Sequence, residues 1–363
     1  MKLLCVTAMN TDDVEIILGN SNKRFSGVTS TMLQVLKYQQ ERVAVAVLGK
    51  HNMPDSVQTL NFFNFIRICR KPLRDGRYRT FHARRNDEMI QGLIAKRVFG
   101  AKIKIAFTST AQRNHSRFSR WLMRQMDGLI TTCSAASNYL VERAPDIIIP
   151  HGVDTSHYVP ASSRELAWKQ TGFPGRYGIG VFGRVRYTKG IDILVKAVIP
   201  LLSKYPDLTV VICGECIPKD RSFLQQLRSD IDQADVSELF IFLGKQPFVE
   251  LPRLFQSMSL VTALSREEGF GLTPLEAMAA GTAVVTSEAG AWRDIIRNGI
   301  DGYCISIANI EDVTATLDAM LGDLELTHEM GRNARDYVVE QYTVEREAEL
   351  LTHFLKSLSI LHN

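Results

Sequence analysis

The stretch SLVTALSREEGFGLTPLEAMAAG, residues 259–281, passes from a short apolar run through a glycine-bearing turn into a segment with helical character. That succession is one βα unit. Thr273 is expected as the N-cap, Pro274 as the first helical residue and Gly281 as the stop. Gly269 and Gly271 leave the turn backbone uncovered on either side of Phe270, with Leu272 leading into the helix. Bare N–H groups and the positive end of a helix then meet at the strand's carboxyl end, where an anionic or hydroxyl-rich ligand gains most. Glu268 and Glu276 flank this turn. On spacing alone two readings of Glu276 stand: Thr273 and Glu276 have the Thr-x-x-Glu spacing of a capping box, or the carboxylate faces a ligand. Glu268 serves no cap, so it is either a solvated loop acid or reaches a ligand.

Working outward, the same unit repeats. Apolar runs KLLCVTA, VAVAVLG, RTFHAR, KIKIAFTS, GLITTCS and DIIIPHG form a first series, and YGIGVFG, LTVVICG, LFIFLG, SLVTALS and TAVVTSE a second, each separated by segments of helical length. This pattern predicts an α/β protein of two doubly wound, Rossmann-like domains, parallel sheets with right-handed crossovers. The rhythm breaks at residues 151–178, rich in Pro, Gly and Ser, and the hinge is expected there. The expected domains are 1–158 and 159–342, with ligand loops of both sheets facing a shared cleft. A last helix over 343–363 follows the complete second domain; it could cap either one, with packing back on the first domain as the expectation.

A second motif, GVFGRVRYTKG (180–190), follows the first strand of the second series. A strand ends at Gly183, and Arg184 and Lys189 follow five residues apart. Two cations there can clamp a diphosphate, Arg as a fork and Lys as a point charge. Basic residues after a strand are also commonly just solvated. The order is not that of a P-loop. In the first domain, RFSGVTSTMLQVL (24–36) opens the first helix, and Gly27 lets backbone approach a ligand.

The bulk composition sets limits. The chain has 363 residues, 45% hydrophobic and 23% charged, ordinary for a globular enzyme. Its N-terminus reads as a strand rather than a signal peptide, and no run reaches the roughly 18 apolar residues of a spanning helix, which predicts a cytoplasmic protein. Six scattered cysteines suit reduced thiols, and the CGEC pair, Cys213 and Cys216, has no second pair at zinc spacing. Asp230 and Asp232 fall in an amphipathic helical segment and read as a solvated face, so no metal site and no cofactor is expected. The net charge of +4 hides an asymmetry: residues 67–124 carry 16 Lys and Arg against Asp75, Asp87 and Glu88. Such a field points to an anionic partner.

Taken together and in order, HGVD, GRVRYTKG and EEGFGLTPLEAMAAG resemble the retaining, nucleotide-sugar-dependent glycosyltransferases of family 4, which have the GT-B fold. The resemblance covers the second domain nearly in full. It implies that Glu268 contacts donor-sugar hydroxyls, that backbone at Phe270 and Gly271 holds the same ring, and that Glu276 accepts from the nucleotide ribose. Arg184 and Lys189 would stabilise the departing diphosphate, with Gly27 approaching it from the first domain. Relatives carry a His after the strand matching KIKIAFTS; here Phe107 or Thr108 occupies that place, and His115 lies further on. FHARRNDEM and FTSTAQRNHSRFSRWLMRQMDGLITTCSAAS are similar to bacterial mannosyltransferases that build the lipopolysaccharide inner core from GDP-mannose. This implies an anionic lipid-linked saccharide acceptor and peripheral contact with the inner face of the plasma membrane, with Arg84, Arg85, Arg113, His115, Arg117 and Arg120 as contact candidates. The rivals are a glycosyltransferase with a different nucleotide-sugar donor or glycan acceptor, a sugar-nucleotide hydrolase or epimerase of the same fold, a catalytically dead carrier of the fold, and a nucleic-acid-binding protein using residues 67–124. The cleft motifs would be idle in the last, and no nucleic acid is expected as partner.

Overall fold

The computed structural model describes residues 11–23 and 26–360. The expected strand KLLCVTA, with Cys5, lies outside these residues, as do Arg24 and Phe25 of the RFSG motif. The first described strand is one that the sequence reading passed over, β1 (Ile16–Gly19). It is followed by β2 (Val45–Leu48), β3 (Thr59–Leu60), β4 (Arg79–Ala83), β5 (Ile103–Ser109), β6 (Gly128–Thr131) and β7 (Ile147–Ile148). Helices α1 (Gly27–Gln40), α2 (Phe62–Cys69), α3 (Asn86–Arg97), α4 (Arg117–Arg124) and α5 (Ser134–Ser137) connect them. All neighbours pair in parallel, in the order β3-β2-β1-β4-β5-β6-β7.

The second series holds α6 (Arg164–Thr171), β8 (Tyr177–Phe182), α7 (Ile191–Val198), β9 (Leu208–Cys213), α8 (Arg221–Gln233), β10 (Phe240–Gly244) and α9 (Leu251–Ser257). It continues through β11 (Leu260–Ala263), α10 (Thr273–Ala279), β12 (Ala283–Ser287), α11 (Trp292–Ile295), β13 (Gly302–Ile305), α12 (Ile310–Gly322) and α13 (Leu324–Gln341). Its parallel sheet runs β10-β9-β8-β11-β12-β13. Strands buried on both faces need continuous apolar sequence, which is why LTVVIC and SLVTA read so plainly. β3, two residues long, and β13, GYCI, lack that signature and were not foreseen.

The chain divides into two compact units, Met1–His151 with Val344–Asn363, and Gly152–Thr343. The break falls at the start of the expected 151–178 hinge; the remainder of that stretch, including α6 with its buried Trp168, belongs to the second unit. The last helix, α14 (Val344–Ile360), returns to the first unit. It buries Val344, Ala348, Leu351, Leu355 and Leu358, one stripe at alternating four- and three-residue spacing, against β1 and α1. Thr80 Oγ1 donates to the Leu355 carbonyl at 2.8 Å, and Glu347 accepts from His151 Nδ1 at 2.8 Å.

In each sheet the connections reverse direction once, between β1 and β4 in the first unit and between β8 and β11 in the second. Loops leaving adjacent strands in opposite directions open a crevice at their carboxyl ends. The loops after β8 and β11 are GRVRYTKG and SREEGFGL.

Candidate active site

In the second unit β8 and β11 pair in register, Ile179 with Leu260 and Val181 with Thr262. Their carboxyl ends therefore deliver both motifs to one place. Lys189 ends a tight turn, Tyr187–Lys189, and Gly190 follows with φ +67°; a Cβ there would lie 1.9 Å from the Leu264 carbonyl oxygen, so only glycine lets the two loops touch. Lys189 Nζ forms an ion pair with Glu268 Oε2, the two side chains being 21% and 16% exposed. Glu268 Oε1 also accepts from the Gly269 N–H at 3.2 Å. The acid left open between loop and ligand is thus a partner of the cation 79 residues before it. Arg184 is exposed and enters no ion pair among the described residues.

The Gly-Phe-Gly turn is held from the loop after β12. Phe270 is buried, and its carbonyl accepts from the Ala291 N–H at 3.0 Å. Trp292 Nε1 donates to the Gly271 carbonyl at 2.9 Å. Gly271 has φ +84°, and a Cβ would sit 2.5 Å from that indole nitrogen. The structure corrects the expected cap: Leu272 is the N-cap of α10, Thr273 its first residue, and no side-chain cap bond is made there. Glu276 is instead half-buried beneath the helix start, where Tyr158 Oη donates to its Oε1 at 3.1 Å. Burial pushes its carboxyl up to about 7, the Tyr158 hydrogen bond opposing only in part.

Sequence reasoning missed Arg266. Its guanidinium forks onto Asp192 at 2.8 and 2.7 Å, donates to the Tyr187 carbonyl at 2.7 Å and lies 3.8 Å over the Tyr187 ring. Its backbone N–H reaches the Thr188 carbonyl at 2.8 Å. One residue of the β11 loop thereby fixes the turn that carries Lys189. A bond across 74 residues leaves no local pattern. On the glycosyltransferase resemblance, Arg266→Ala is expected to reduce transfer roughly tenfold by loosening that turn, with nucleotide affinity little changed; steady-state kinetics beside calorimetry separates the two.

Cys213 and Cys216 are free thiols, and burial raises Cys213 to about 11. Asp230 and Asp232 lie on α8 and bond within their own surface, to Gln226 and Ser237.

In the first unit Gly27 begins α1 with open space beside it. Arg85 is not free: it donates to Glu88 at 2.9 Å, Ser26 Oγ at 3.1 Å and Thr29 Oγ1 at 3.2 Å, stapling the β4 loop to the start of α1. Glu88, counted from sequence only as charge, is wholly buried and also accepts from the backbone N–H groups of Ser21, Arg84 and Arg85. A small cavity at the carboxyl ends of β4, β5 and β6 is lined by His82, Arg84, Thr108, Thr132, His151 and Glu347. Arg84 Nη1, His82 Nδ1 and Thr132 Oγ1 are sealed from solvent there without a partner among the described residues. Burial lowers Arg84 to about 10 despite the nearby Glu88 and Glu347 carboxylates, and drives His82 well below the usual histidine range. Phe107 is buried, and Thr108 Oγ1 meets His82 Nε2 at 2.7 Å. His115 returns to the end of β5, its Nε2 3.3 Å from Ser109 Oγ; burial, then Arg113 and Arg120, lower its pKa. Arg113 and Arg117 are exposed, while Arg120 pairs with Glu142 at 3.3 Å.

Comparison with known proteins meets this geometry. A family model described as "Glycosyl transferases group 1" matches residues 163–337, which hold the β8 and β11 loops and α10 but not Tyr158. Over 347 residues the chain is 37% identical to the lipopolysaccharide core biosynthesis mannosyltransferase LpcC of Rhizobium leguminosarum bv. viciae, covering 95% of this chain and 97% of that one. The crystal structure of the C-terminal domain of a glycosyl transferase group 1 family protein (LpcC) from Francisella tularensis is 38% identical, covering 53% of this chain and 99% of its own, with a TM-score of 0.51. Anabaena Alr3699/HepE, solved in complex with UDP, matches 95% of this chain and 100% of its own at a TM-score of 0.81 and 17% identity, a likeness of fold. With two parallel sheets, reversed loops at β8 and β11, and likeness to a relative along nearly its whole length, the chain belongs to the group 1 glycosyltransferases and has the GT-B fold.

Proposed function

We propose that this glycosyltransferase moves mannose from GDP-mannose, with retention of configuration and without a metal, onto the inner core of a lipopolysaccharide precursor at the inner face of the plasma membrane. The observation that carries the reading is the 37% identity to a lipopolysaccharide core mannosyltransferase through 95% of the chain, which includes the first unit as well as the donor motifs.

The donor's diphosphate takes the cations after β8. As the bond from the sugar's anomeric carbon to the phosphate oxygen breaks, negative charge grows on the diphosphate and positive charge on an oxocarbenium-like ring. Arg184 and Lys189 are the cations set to meet the first charge, Lys189 held by Glu268 and Arg184 open to solvent, and the start of α10 adds its dipole. Glu268, already beside Lys189, takes sugar hydroxyls together with backbone at Gly269, Phe270 and Gly271. Leu272 and Thr273 present the helix start, and Glu276 accepts from the ribose. The departing phosphate oxygen takes the acceptor's proton on the face it leaves, so configuration is retained without a protein nucleophile. In the first unit Gly27, at the start of α1, and Arg84, beside the small cavity at the ends of β4, β5 and β6, are the candidates for ligand contact. Arg113, His115, Arg117 and Arg120 extend that charge toward the acceptor's phosphates, while Arg85 shapes the loop.

Calorimetry with GDP, UDP, ADP and their mannose or glucose conjugates tests the donor. Selective binding of GDP and GDP-mannose, followed by mannose transfer to an inner-core acceptor with the axial anomer preserved, is the expected result. Preference for another nucleotide would remove GDP-mannose, and sugar release equal with and without acceptor would replace transfer by hydrolysis.

A further inference from the structure

Helices α2, α3 and α4 lie side by side on one face of the first unit's sheet, their inward residues sharing one core. Phe62 of α2 meets Phe99, just past α3, at 6.2 Å, and Asn86 Nδ2 of α3 donates to Ser119 Oγ of α4 at 2.8 Å. The outward side of this layer is not the polar surface that such helices ordinarily present. Phe63 is 80% exposed, Val98 71% and Phe118 54%, and Ile94, Phe99 and Trp121 are exposed beside them. The Phe118 and Trp121 rings stack on each other at 6.0 Å in solvent. α2 with its C-cap, α4 and the loop before α4 also carry Arg67, Arg70, Arg117 and Arg113, all exposed and without an ion pair among the described residues.

A helix layer that exposes both large apolar side chains and unpaired cations selects its occupant. A second copy docking through this face about a twofold axis would set these arginines against themselves. An anionic bilayer offers phosphates at the depth of the arginines and hydrocarbon just below, where Trp and Phe are favoured. We propose that the α2–α4 face is a membrane-insertion surface, seating Phe118 and Trp121 at the boundary between headgroups and acyl chains. It rests on the lipid-linked acceptor reading for its purpose and goes beyond charge attraction, which would hold the protein above the headgroups.

The protein reports on itself. Of three tryptophans, Trp168 and Trp292 are 2% and 1% exposed, so a change in emission on adding vesicles comes from Trp121. With vesicles of equal phosphatidylcholine and phosphatidylglycerol, the emission is expected to shift to the blue, and binding to persist in part at about 0.5 M salt, where exposed charge pairs are screened. The Phe118→Ser/Trp121→Ser double variant should cosediment with the vesicles about a hundredfold more weakly, as expected for two lost aromatic anchors. Its GDP binding and its transfer to a deacylated, water-soluble acceptor should be unchanged, which also establishes that it folds. Cosedimentation of the parent without any emission shift, or undiminished binding by the double variant, overturns the proposal. So does a dimer that the double variant disperses while vesicle binding stays. If the parent binds no sugar nucleotide, the donor reading falls, and the vesicle results still decide this one.

Discussion

Replacing Lys189 by Ala is expected to lower the rate of sugar transfer roughly 10²- to 10³-fold, the range for losing one fixed charge at the site where an anion develops, if Lys189 meets the proposed diphosphate. The melting temperature falls by only a few degrees, because the Lys189–Glu268 pair is part-exposed and breaking it costs about 1–2 kcal/mol rather than the larger amount of a fully buried pair. The two effects separate because the pair's structural neighbours remain: Arg266 still ties the turn to Asp192, and Gly190 still lies against Leu264. Lys189→Arg keeps the charge and misplaces it, so it should recover part of the rate. Since Lys189 and Glu268 touch, Lys189→Ala and Glu268→Gln together should lose less than the two singly measured losses combined. Turnover measured beside thermal melting checks this; activity that falls only in proportion to the folded fraction would remove Lys189 from the phosphate.

The motif residues of the second unit were legible because a parallel α/β sheet writes its site in local sequence. A strand must be apolar, the turn after it must contain glycine where loops cross, and the next helix must start there. Glu268 and Lys189 could be assigned to neighbouring loops on that ground alone. Their direct pairing could not, nor could Arg266, Trp292 or Tyr158, because each acts through a contact between segments 21 to 118 residues apart. Spacing even misled at Thr273, where Thr-x-x-Glu mimics a capping box while the helix starts one residue earlier than that box requires. Strand β1 was hidden for a related reason: IILG is only four residues long and sits beside the longer KLLCVTA run, which drew the assignment. Helix α14 was plain as a helix and its return to the first domain was anticipated, but which elements cover its stripe was not, since an apolar stripe states that something covers it and not what. In the first unit the charge of residues 67–124 was visible, whereas the partition of those arginines among a staple at Arg85, a sealed cavity at Arg84 and open solvent at Arg113 and Arg117 depends on where β4 and α4 end.

The second large effect is expected at Glu276, where the two readings of the opening motif predict opposite signs. The folded protein holds this carboxyl at about 7, against 4.5 for the free group, because burial disfavours the charged form. The native state therefore binds the proton more tightly than the unfolded chain, and stability declines as pH rises from about 4.5 through about 7, then levels off. Above that window the cost of the buried charge is on the order of 3 kcal/mol. Glu276→Gln removes the charge and keeps an oxygen to accept from Tyr158 Oη. The ligand-free variant should thus melt several degrees above the parent at pH 8 and close to it at pH 5. Nucleotide binding should move the other way, weakening at least tenfold at pH 8, because ribose hydroxyls bond more strongly to a carboxylate than to an amide. In the parent, affinity should rise with pH through about 7 as the carboxyl ionises; in the variant that dependence should vanish. A melting temperature lowered equally at both pH values would mean that Glu276 serves the helix start after all. Unchanged nucleotide affinity would leave it a half-buried acid with no part in holding the donor.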